Sequence, residues 1–267
     1  ARLDPNSSES FVSQIDRKID ASLGRLQRNF VELYQLHNRI QNVSDKNNFS
    51  VKDILKKGGV ADAMEKFKSD GRIKSIGITA LGDIDAINEV VLSDCFDVAQ
   101  IYYNLLNPSA FFSTQGKWND QNFSNLIKNC KSKDMGLMNI RIYAAGYLAT
   151  EKRHGREIPI TFGIDETELN KRVEKINFIL KDIQGTKAQK ALRYGLSNEN
   201  MSTIVIGLAK ISHLEEALEG YELGSLNEEI LKKIEELQNN NFINWGFTMK
   251  VLILGIGGLG AFFGAHL

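Results

Sequence analysis

The sequence predicts an α/β fold in which parallel strands are wrapped by helices. Short apolar runs alternate with segments of helical period, and the runs are apolar at consecutive positions, which is typical of strands buried on both faces. The candidate strands cover 31–36, 73–78, 98–102, 137–142 and 203–206. This alternation fits a (β/α)₈ barrel or an open doubly wound sheet, and periodicity does not distinguish between them.

Apolar residues at spacings of three and four predict the helices. The clearest case is 10–26, where Phe11, Ile15, Ile19 and Leu23 fall on one face of a helix. The same periodicity predicts helices over 51–67, 84–92, 123–131, 166–182, 187–194, 211–218 and 226–237.

The charge balance argues against a nucleic-acid partner. Lys plus Arg number 33 and Asp plus Glu number 33, so the formal net charge is zero, and no basic cluster is interleaved with aromatic residues. The uncharged run 251–267 is shorter than the ~20 residues that cross a bilayer, and it is rich in glycine. We therefore expect neither a nucleic-acid interface nor a membrane span.

The two cysteines, Cys95 and Cys130, do not form a CxxC pair and have no histidine at a metal-ligand spacing. This usage predicts reduced thiols and a cytoplasmic location. Because the sequence has no HExxH motif and no acidic cluster, we predict no metal site. The oligomeric state stays open.

Polar and aromatic residues follow the candidate strands, where parallel α/β folds place their reactive groups. Such residues, together with glycine, are typical of a small-molecule or cofactor site, which predicts an enzyme without naming its reaction. These strand-end residues are His37, Asn38, Thr79, Ala80, Gln100, Tyr103, Asn104, Arg141, Tyr143 and 207–210.

Several segments resemble motifs of the aldo-keto reductase family, and they occur in that family's order between residue 10 and about residue 240. The segments are SLGRL (22–26), VELYQLHN (31–38), GRIKSIGI (71–78), FDVAQIYYNLLN (96–107), MGLMNIR (135–141), ALRY (191–194) and 202–218. The resemblance implies a barrel and hydride transfer between NAD or NADP and a carbonyl, an alcohol or a sugar lactol. The sequence looks closest to aldose and galactose dehydrogenase relatives.

The resemblance also implies roles for individual residues. His37 matches the family's catalytic histidine, which orients and polarises the carbonyl. Gln100 matches the residue that holds the nicotinamide carboxamide, and Tyr103 belongs to the same motif, although it could equally pack the rim. Ile140, Arg141 and Tyr143 match positions beside the nicotinamide and pyrophosphate.

The adenosine end of the cofactor would lie at the fifth strand and the helix after it. The residues implied there are Gly207, Leu208, Lys210, His213 and Glu216. The family's Ser-Asn pair appears as Thr79-Ala80, which keeps a hydroxyl group and loses an amide. The choice between NAD and NADP stays open.

A second departure concerns the family's catalytic Asp, Tyr and Lys, which lie upstream of the matched motifs. We therefore expect residues 1–247 to form an incomplete (β/α)₈ barrel that lacks its first strands. We also expect no normal turnover from this polypeptide alone. Two alternatives remain: a barrel that binds the cofactor in a regulatory role without turnover, and an unrelated barrel lyase or isomerase.

The last segment, 248–267, is predicted to belong to a different domain. An apolar strand leads into Gly255, Gly257 and Gly260, which form a GxGxxG turn for a dinucleotide. This segment resembles the opening of a 2-dehydropantoate 2-reductase, and so the start of a Rossmann fold. Either a fusion of two enzymes or translation into a neighbouring reading frame would account for it.

Overall fold

The computed structural model of the protein describes residues 1–112, 120–151 and 164–242. Its strands are β1 (Val31–Leu36), β2 (Arg39–Gln41), β3 (Asn48–Ser50), β4 (Ile73–Thr79), β5 (Val98–Tyr102), β6 (Gly136–Ile140) and β7 (Thr203–Val205). Its α-helices are α1 (Phe11–Leu26), α2 (Val51–Leu55), α3 (Val60–Ser69), α4 (Ile84–Leu92), α5 (Leu126–Ser132), α6 (Glu166–Ile179), α7 (Lys187–Leu196), α8 (Ile211–Glu222) and α9 (Glu228–Asn239).

Five strands form one parallel sheet in the order β1-β4-β5-β6-β7. These are the five strands that the sequence predicts, with ends that agree to within two residues. Helices connect successive strands, as parallel pairing requires. In the described part of the chain, β1 and β7 each pair on one side only.

The sheet is strongly curled, as a contact across four strands shows. Gln35 of β1 lies three inter-strand spacings from Met138 of β6, which is about 14 Å in a flat sheet. Its amide nitrogen nevertheless lies 3.8 Å from the Met138 sulfur. The side chain crosses Gly77 of β4, where an added Cβ would lie 3.1 Å from Gln35 Cγ. The concave face of the sheet therefore requires glycine at this position.

The convex face of the sheet carries the apolar core. Ile76 and Ile78 of β4 and Ala99 and Ile101 of β5 alternate with the concave-face residues and are almost completely buried. They belong to one continuous cluster of buried side chains that includes Ile15 and other residues of the surrounding helices. Burial of this face holds the curled sheet in place and leaves the concave face open for a site.

One local prediction needs correction, and one small element was not predicted. The predicted helix 51–67 is two helices, α2 and α3, because the chain turns between them. Gly58 has φ +71°, and a Cβ on Gly59 would lie 2.7 Å from two carbonyl oxygens, so neither position suits a helix interior. The small parallel pair β2–β3 was not predicted.

Among the described residues, no helix has both the length and the apolar character that a membrane crossing needs. The predicted dinucleotide turn at Gly255, Gly257 and Gly260, and with it the domain 248–267, lies outside the described residues.

Candidate active site

A cleft of about 670 Å³ opens at the carboxyl ends of the strands. Most of the residues predicted for a cofactor site line it together. They are His37, Gln100, Ile140, Arg141, Tyr143, Gly207, Leu208, His213 and Glu216. His37, Gln100, Arg141 and Gly207, which the sequence places at the ends of four different strands, therefore meet in one cleft.

A chain of hydrogen-bonding side chains forms one end of the cleft. His37 follows β1, and its Nδ1 lies 2.8 Å from the hydroxyl oxygen of Thr79 at the end of β4. The Thr79 hydroxyl donates to Gln100 Oε1 at 3.0 Å. Gln100 Nε2 then donates to Gln35 Oε1 at 2.8 Å. Three neighbouring parallel strands supply these side chains, which is why residues far apart in the chain lie in one row.

The environment of His37 favours the neutral imidazole. Partial burial, and then the positive charge of Arg2, lower the pKa of His37 from its usual value. A neutral imidazole carries one proton, so one ring nitrogen donates and the other accepts. Apart from Thr79, no described residue forms a hydrogen bond with the ring of His37.

The loop after β6 presents Arg141 and Tyr143 to the cleft in a strained conformation. Arg141 has φ +61°, and Ala144 and Ala145 also have positive φ, which is uncommon for residues with a Cβ. The buried amide of Asn104 donates to the carbonyl oxygen of Arg141 at 3.1 Å and helps to hold this turn. Burial, and then the carboxylate of Glu216, raise the pKa of Tyr143 to about 12, so its phenol stays protonated at neutral pH.

The opposite end of the cleft is the N-terminus of α8. No side chain caps this helix through its N-cap residue Lys210, and no acidic residue lies in its first turn. The backbone N–H of Ala209 donates to His213 Nδ1 at 3.3 Å. The carboxylate of Glu216, one turn further on, accepts a hydrogen bond from the Thr186 hydroxyl at 2.6 Å. The helix dipole and Lys210 make this end suitable for an anion.

These features fit a nicotinamide dinucleotide. The cleft volume lies within the 300–1,000 Å³ typical of ligand sites. Amide and imidazole groups lie at one end, while Arg141 and the N-terminus of α8 offer donors to a pyrophosphate. Among the described residues, and apart from its neighbours in the chain, no atom lies within 4 Å of where a Cβ on Gly207 would stand, which leaves room beside the backbone there.

Among the described residues, three of those predicted to contact the cofactor do not line the cleft directly, and neither do the strand-end residues Asn38, Ala80 and Asn104. Thr79 is 2% exposed and lies behind His37 and Gln100, which it joins. Lys210 stands next to the lining residue Ala209. Tyr103 faces a separate cavity of about 300 Å³, where its ring stacks on Tyr194 at 5.2 Å. Within the described part of the chain Tyr103 therefore packs the rim, the second of its two predicted roles.

The sequence interpretation overlooked Gln35 as a site residue, although a signal for it was present. Residues two apart on a strand share a face, and Gln35 precedes His37 by two positions. It also overlooked a second group of lining residues, which come from the turn after Tyr143, from the start of α7 and from the end of β7. These residues are Ala145, Gly146, Ala149, Thr150, Ala188, Val205 and Ile206.

Among the described residues, no group of three or more His, Cys, Asp or Glu side chains is placed to hold a metal ion.

Comparisons with known proteins agree with this geometry. The chain is 25% identical over 244 residues to the L-galactose dehydrogenase of Arabidopsis thaliana, covering 85% of this chain and 64% of that protein. This chain thus spans less than two thirds of that relative's length. The fold resembles an aldo-keto reductase from Bacillus halodurans with a TM-score of 0.63 and 18% identity, in both its holo and apo forms. Those two matches cover 86% and 85% of this chain and 68% of the other.

The profile of the Aldo/keto reductase family matches residues 2–239, which is nearly the whole chain. This chain belongs to the aldo/keto reductase family.

Proposed function

We propose that this chain binds NAD or NADP along the cleft and forms part of the site of an oxidoreductase that acts on a small carbonyl compound, an alcohol or a sugar lactol. The arrangement of the cleft carries this proposal. Its polar end holds His37 and Gln100, its other end is the uncapped N-terminus of α8, and Arg141 lies between them. The nicotinamide supplies or accepts a hydride when it is bound.

The residues of the chain would bind and orient the two reactants. Gln100 has one amide hydrogen and one carbonyl lone pair beyond its bonds to Gln35 and Thr79, and these can hold a carboxamide. Arg141 and the backbone N–H groups of α8 would bind the pyrophosphate. The ring of His37 would orient the substrate oxygen. The name of the Arabidopsis relative supports a sugar as the substrate.

His37 is the one member of the family's catalytic set that the matched motifs contain. General acid–base groups typically contribute 10²–10⁴-fold to the rate, and the matched motifs contain no Tyr, Lys or Asp of that set. We therefore propose that the 267-residue chain binds the cofactor without normal turnover on its own. A purely regulatory cofactor-binding role is the alternative. The cytoplasmic location and the second dinucleotide turn at Gly255–Gly260 stay predictions.

Cofactor binding tests the proposal directly. We expect calorimetric titration of the chain with NADPH and NADH to show saturable binding of at least one of them. Arg141→Ala should weaken that binding roughly 10- to 100-fold, because a hydrogen bond to a charged group contributes about 1.5–3 kcal/mol. Arg17→Ala is the matched control, since Arg17 pairs with Glu9 on the surface and lies outside the cleft.

Absence of binding to the folded wild-type chain would overturn the proposal, as would equal affinity of the Arg141 and Arg17 variants. Oxidation of NADPH with galactose or glyceraldehyde at a rate typical of enzymes would contradict the expected lack of turnover. Binding without such turnover would support it.

A further inference from the structure

A second cavity, of about 300 Å³, lies beside the carboxyl end of β5 and shares no described lining residue with the cleft. Tyr194 of α7 and Gln238 of α9 pack there against the residues that follow β5. Aromatic rings, two carboxylates and a buried amide form much of its wall. The proposed function assigns no role to this cavity.

Three aromatic rings form adjoining parts of the cavity wall. The ring centroids of Tyr103 and Phe111 lie 6.3 Å apart, with 70° between the ring planes. Those of Phe111 and Phe112 lie 5.2 Å apart, with 63° between the planes. Each pair meets edge to face, so each ring stands at a steep angle to the next. Tyr103, Phe111 and Phe112 thus form an aromatic cage.

Packing of the core explains only one side of this cage. Tyr103 and Tyr194 are each 4% exposed, and their rings stack at 5.2 Å. Gln238 Nε2 donates to the Tyr194 hydroxyl at 3.2 Å and holds that ring in place. Phe111, in contrast, is 48% exposed although it lines the cavity. Its ring therefore remains accessible to a ligand.

The charges that line the cavity are negative. Glu199 and Glu235 line it, and no described lining residue is Lys, Arg or His. Burial, and to a smaller extent the charge of Glu235, raise the pKa of Tyr103 to about 12, so the phenol stays neutral at neutral pH. Lys131 donates to Asn200 Oδ1 at 2.7 Å but does not itself line the cavity. This wall favours a cation over an anion.

Asn198 adds a buried polar group to the wall. It is 8% exposed, and its Oδ1 accepts from the backbone N–H of Asn200 at 3.1 Å and from the Asn200 amide at 2.9 Å. This orientation leaves Asn198 Nδ2 beside the Tyr103 phenol, where it forms no hydrogen bond of normal geometry with any described residue. Buried donors without a partner are rare. A ligand oxygen beside Tyr103 would supply the acceptor.

We propose that this cavity binds a small organic cation that carries an alkylated ammonium group and a hydroxyl group. The ammonium group lies in the aromatic cage near Glu235, and the hydroxyl oxygen accepts from Asn198. A quaternary ammonium group has no N–H to donate, so aromatic faces and nearby carboxylates bind it in place of hydrogen bonds. This proposal does not depend on the proposed function.

Choline is the probe, because it carries both groups. Its neutral carbon analogue, in which a tert-butyl group replaces the trimethylammonium group, has the same shape and the same hydroxyl. We expect calorimetric titration of the chain to show saturable binding of choline and binding of the analogue about tenfold weaker, since the cation–π attraction is lost. No saturable binding of choline to the folded chain would overturn the proposal, as would equal affinity for the analogue.

Two variants with matched controls place the cation. Glu235→Gln should weaken choline binding about 3- to 10-fold and leave the neutral analogue unaffected. Glu236→Gln makes the same change of charge on the same helix outside the cavity, and it should have no effect. Equal weakening by both would indicate general attraction by α9 and overturn the site.

The aromatic cage is tested at its exposed ring. Phe111→Leu keeps an apolar side chain and removes the ring, so it should weaken choline binding by a similar factor. Phe178→Leu, at a ring that is 42% exposed and does not line the cavity, is the control. Unchanged affinity of the Phe111 variant would overturn the cage.

Tetramethylammonium tests the hydroxyl group. It lacks the oxygen that would accept from Asn198, so it should bind roughly 2- to 10-fold more weakly than choline. Equal affinity would overturn the role of Asn198.

Competition with the cofactor separates this cavity from the cleft. Saturation with NADPH should leave the affinity for choline unchanged, and so should Arg141→Ala, because Arg141 lines only the cleft. Displacement of choline by NADPH would place the cation in the cleft and overturn the proposal. Failure of NADPH to bind would count against the proposed function and leave the choline result intact.

Discussion

Amide side chains on the two faces of the parallel sheet differ in whether their polar atoms have hydrogen-bond partners. On the concave face, the amides of Gln35 and Gln100 have hydrogen-bonding partners for both nitrogen and oxygen. On the convex face, Asn139 of β6 is completely buried under α7, and neither atom of its amide has a hydrogen-bond partner among the described residues.

This difference follows from what each face packs against. The concave face contacts other strand ends, whose polar side chains can form a continuous row. The convex face contacts helices whose backbone groups already bond within the helix, and whose buried side chains are mostly apolar. An amide on the concave face can therefore form part of a binding site. A buried amide on the convex face without hydrogen-bond partners lowers the stability of the fold. Four experiments test this difference between the two faces or the contacts on them.

The largest expected effect on stability is at the convex-face core. Ile101 is completely buried, so Ile101→Ala should lower the free energy of unfolding by about 2–5 kcal/mol through lost burial and a residual cavity. Chemical denaturation measures the loss. Val98→Ala, on the same strand but on the half-buried concave face, should cost clearly less. Equal losses would contradict the assignment of the core to one face.

The second-largest expected effect on the free energy of unfolding is at Gly77, where the backbone is crowded. An added Cβ would lie 2.7 Å from the backbone oxygen of Val98 and press on Gln35, and the backbone cannot easily yield. We expect Gly77→Ala to lower the free energy of unfolding by about 1–3 kcal/mol, as overpacking commonly does. Gly136→Ala is the matched control, since the nearest described atom to its Cβ would be Val98 Cγ2 at 3.5 Å. A well-tolerated Gly77→Ala would contradict the close approach of both Val98 and Gln35 to this position.

A substitution at Asn139 should change the free energy of unfolding less, and in the stabilising direction. Asn139→Leu replaces a buried amide without partners by an apolar side chain of similar volume. We expect the free energy of unfolding to stay unchanged or to rise by about 1 kcal/mol, because the unmet polar atoms are removed. Gln100→Leu should give a loss instead, since it breaks satisfied bonds to Thr79 and Gln35. A substantial loss in Asn139→Leu would indicate that its amide has a partner.

The smallest expected effect is on the pH dependence of the free energy of unfolding. The pKa of His37 is lower in the folded protein than its usual value of 6.5, mainly through partial burial. The unfolded chain therefore binds a proton more readily, and acid favours unfolding. The stability from neutral His37 is fully present above about pH 6.5 and is lost as the pH falls through the lowered pKa. Denaturation from pH 8 to 5 should show a shallower decline for His37→Gln than for the wild type. An unchanged slope would contradict this linkage.

Much of the fold could be predicted from the sequence because the signals are local. Consecutive apolar residues indicated five strands, and the residues at their ends met in one cleft, as the topology of a parallel sheet requires. The break between α2 and α3 was missed because apolar periodicity continues through Gly58 and Gly59. Alternation could have separated Tyr103 from Gln100, which lies three positions before it and thus on the opposite face.

The sequence by itself determined the strands and the residues at their carboxyl ends, since these follow from short apolar runs that alternate with segments of helical period. Only the tertiary structure decided that Gln35 would reach both Gln100 and Met138. That contact depends on the curl of the sheet and on the orientation of two amide groups. Curl is a property of all five strands and their helices together, and no local pattern of residues encodes it.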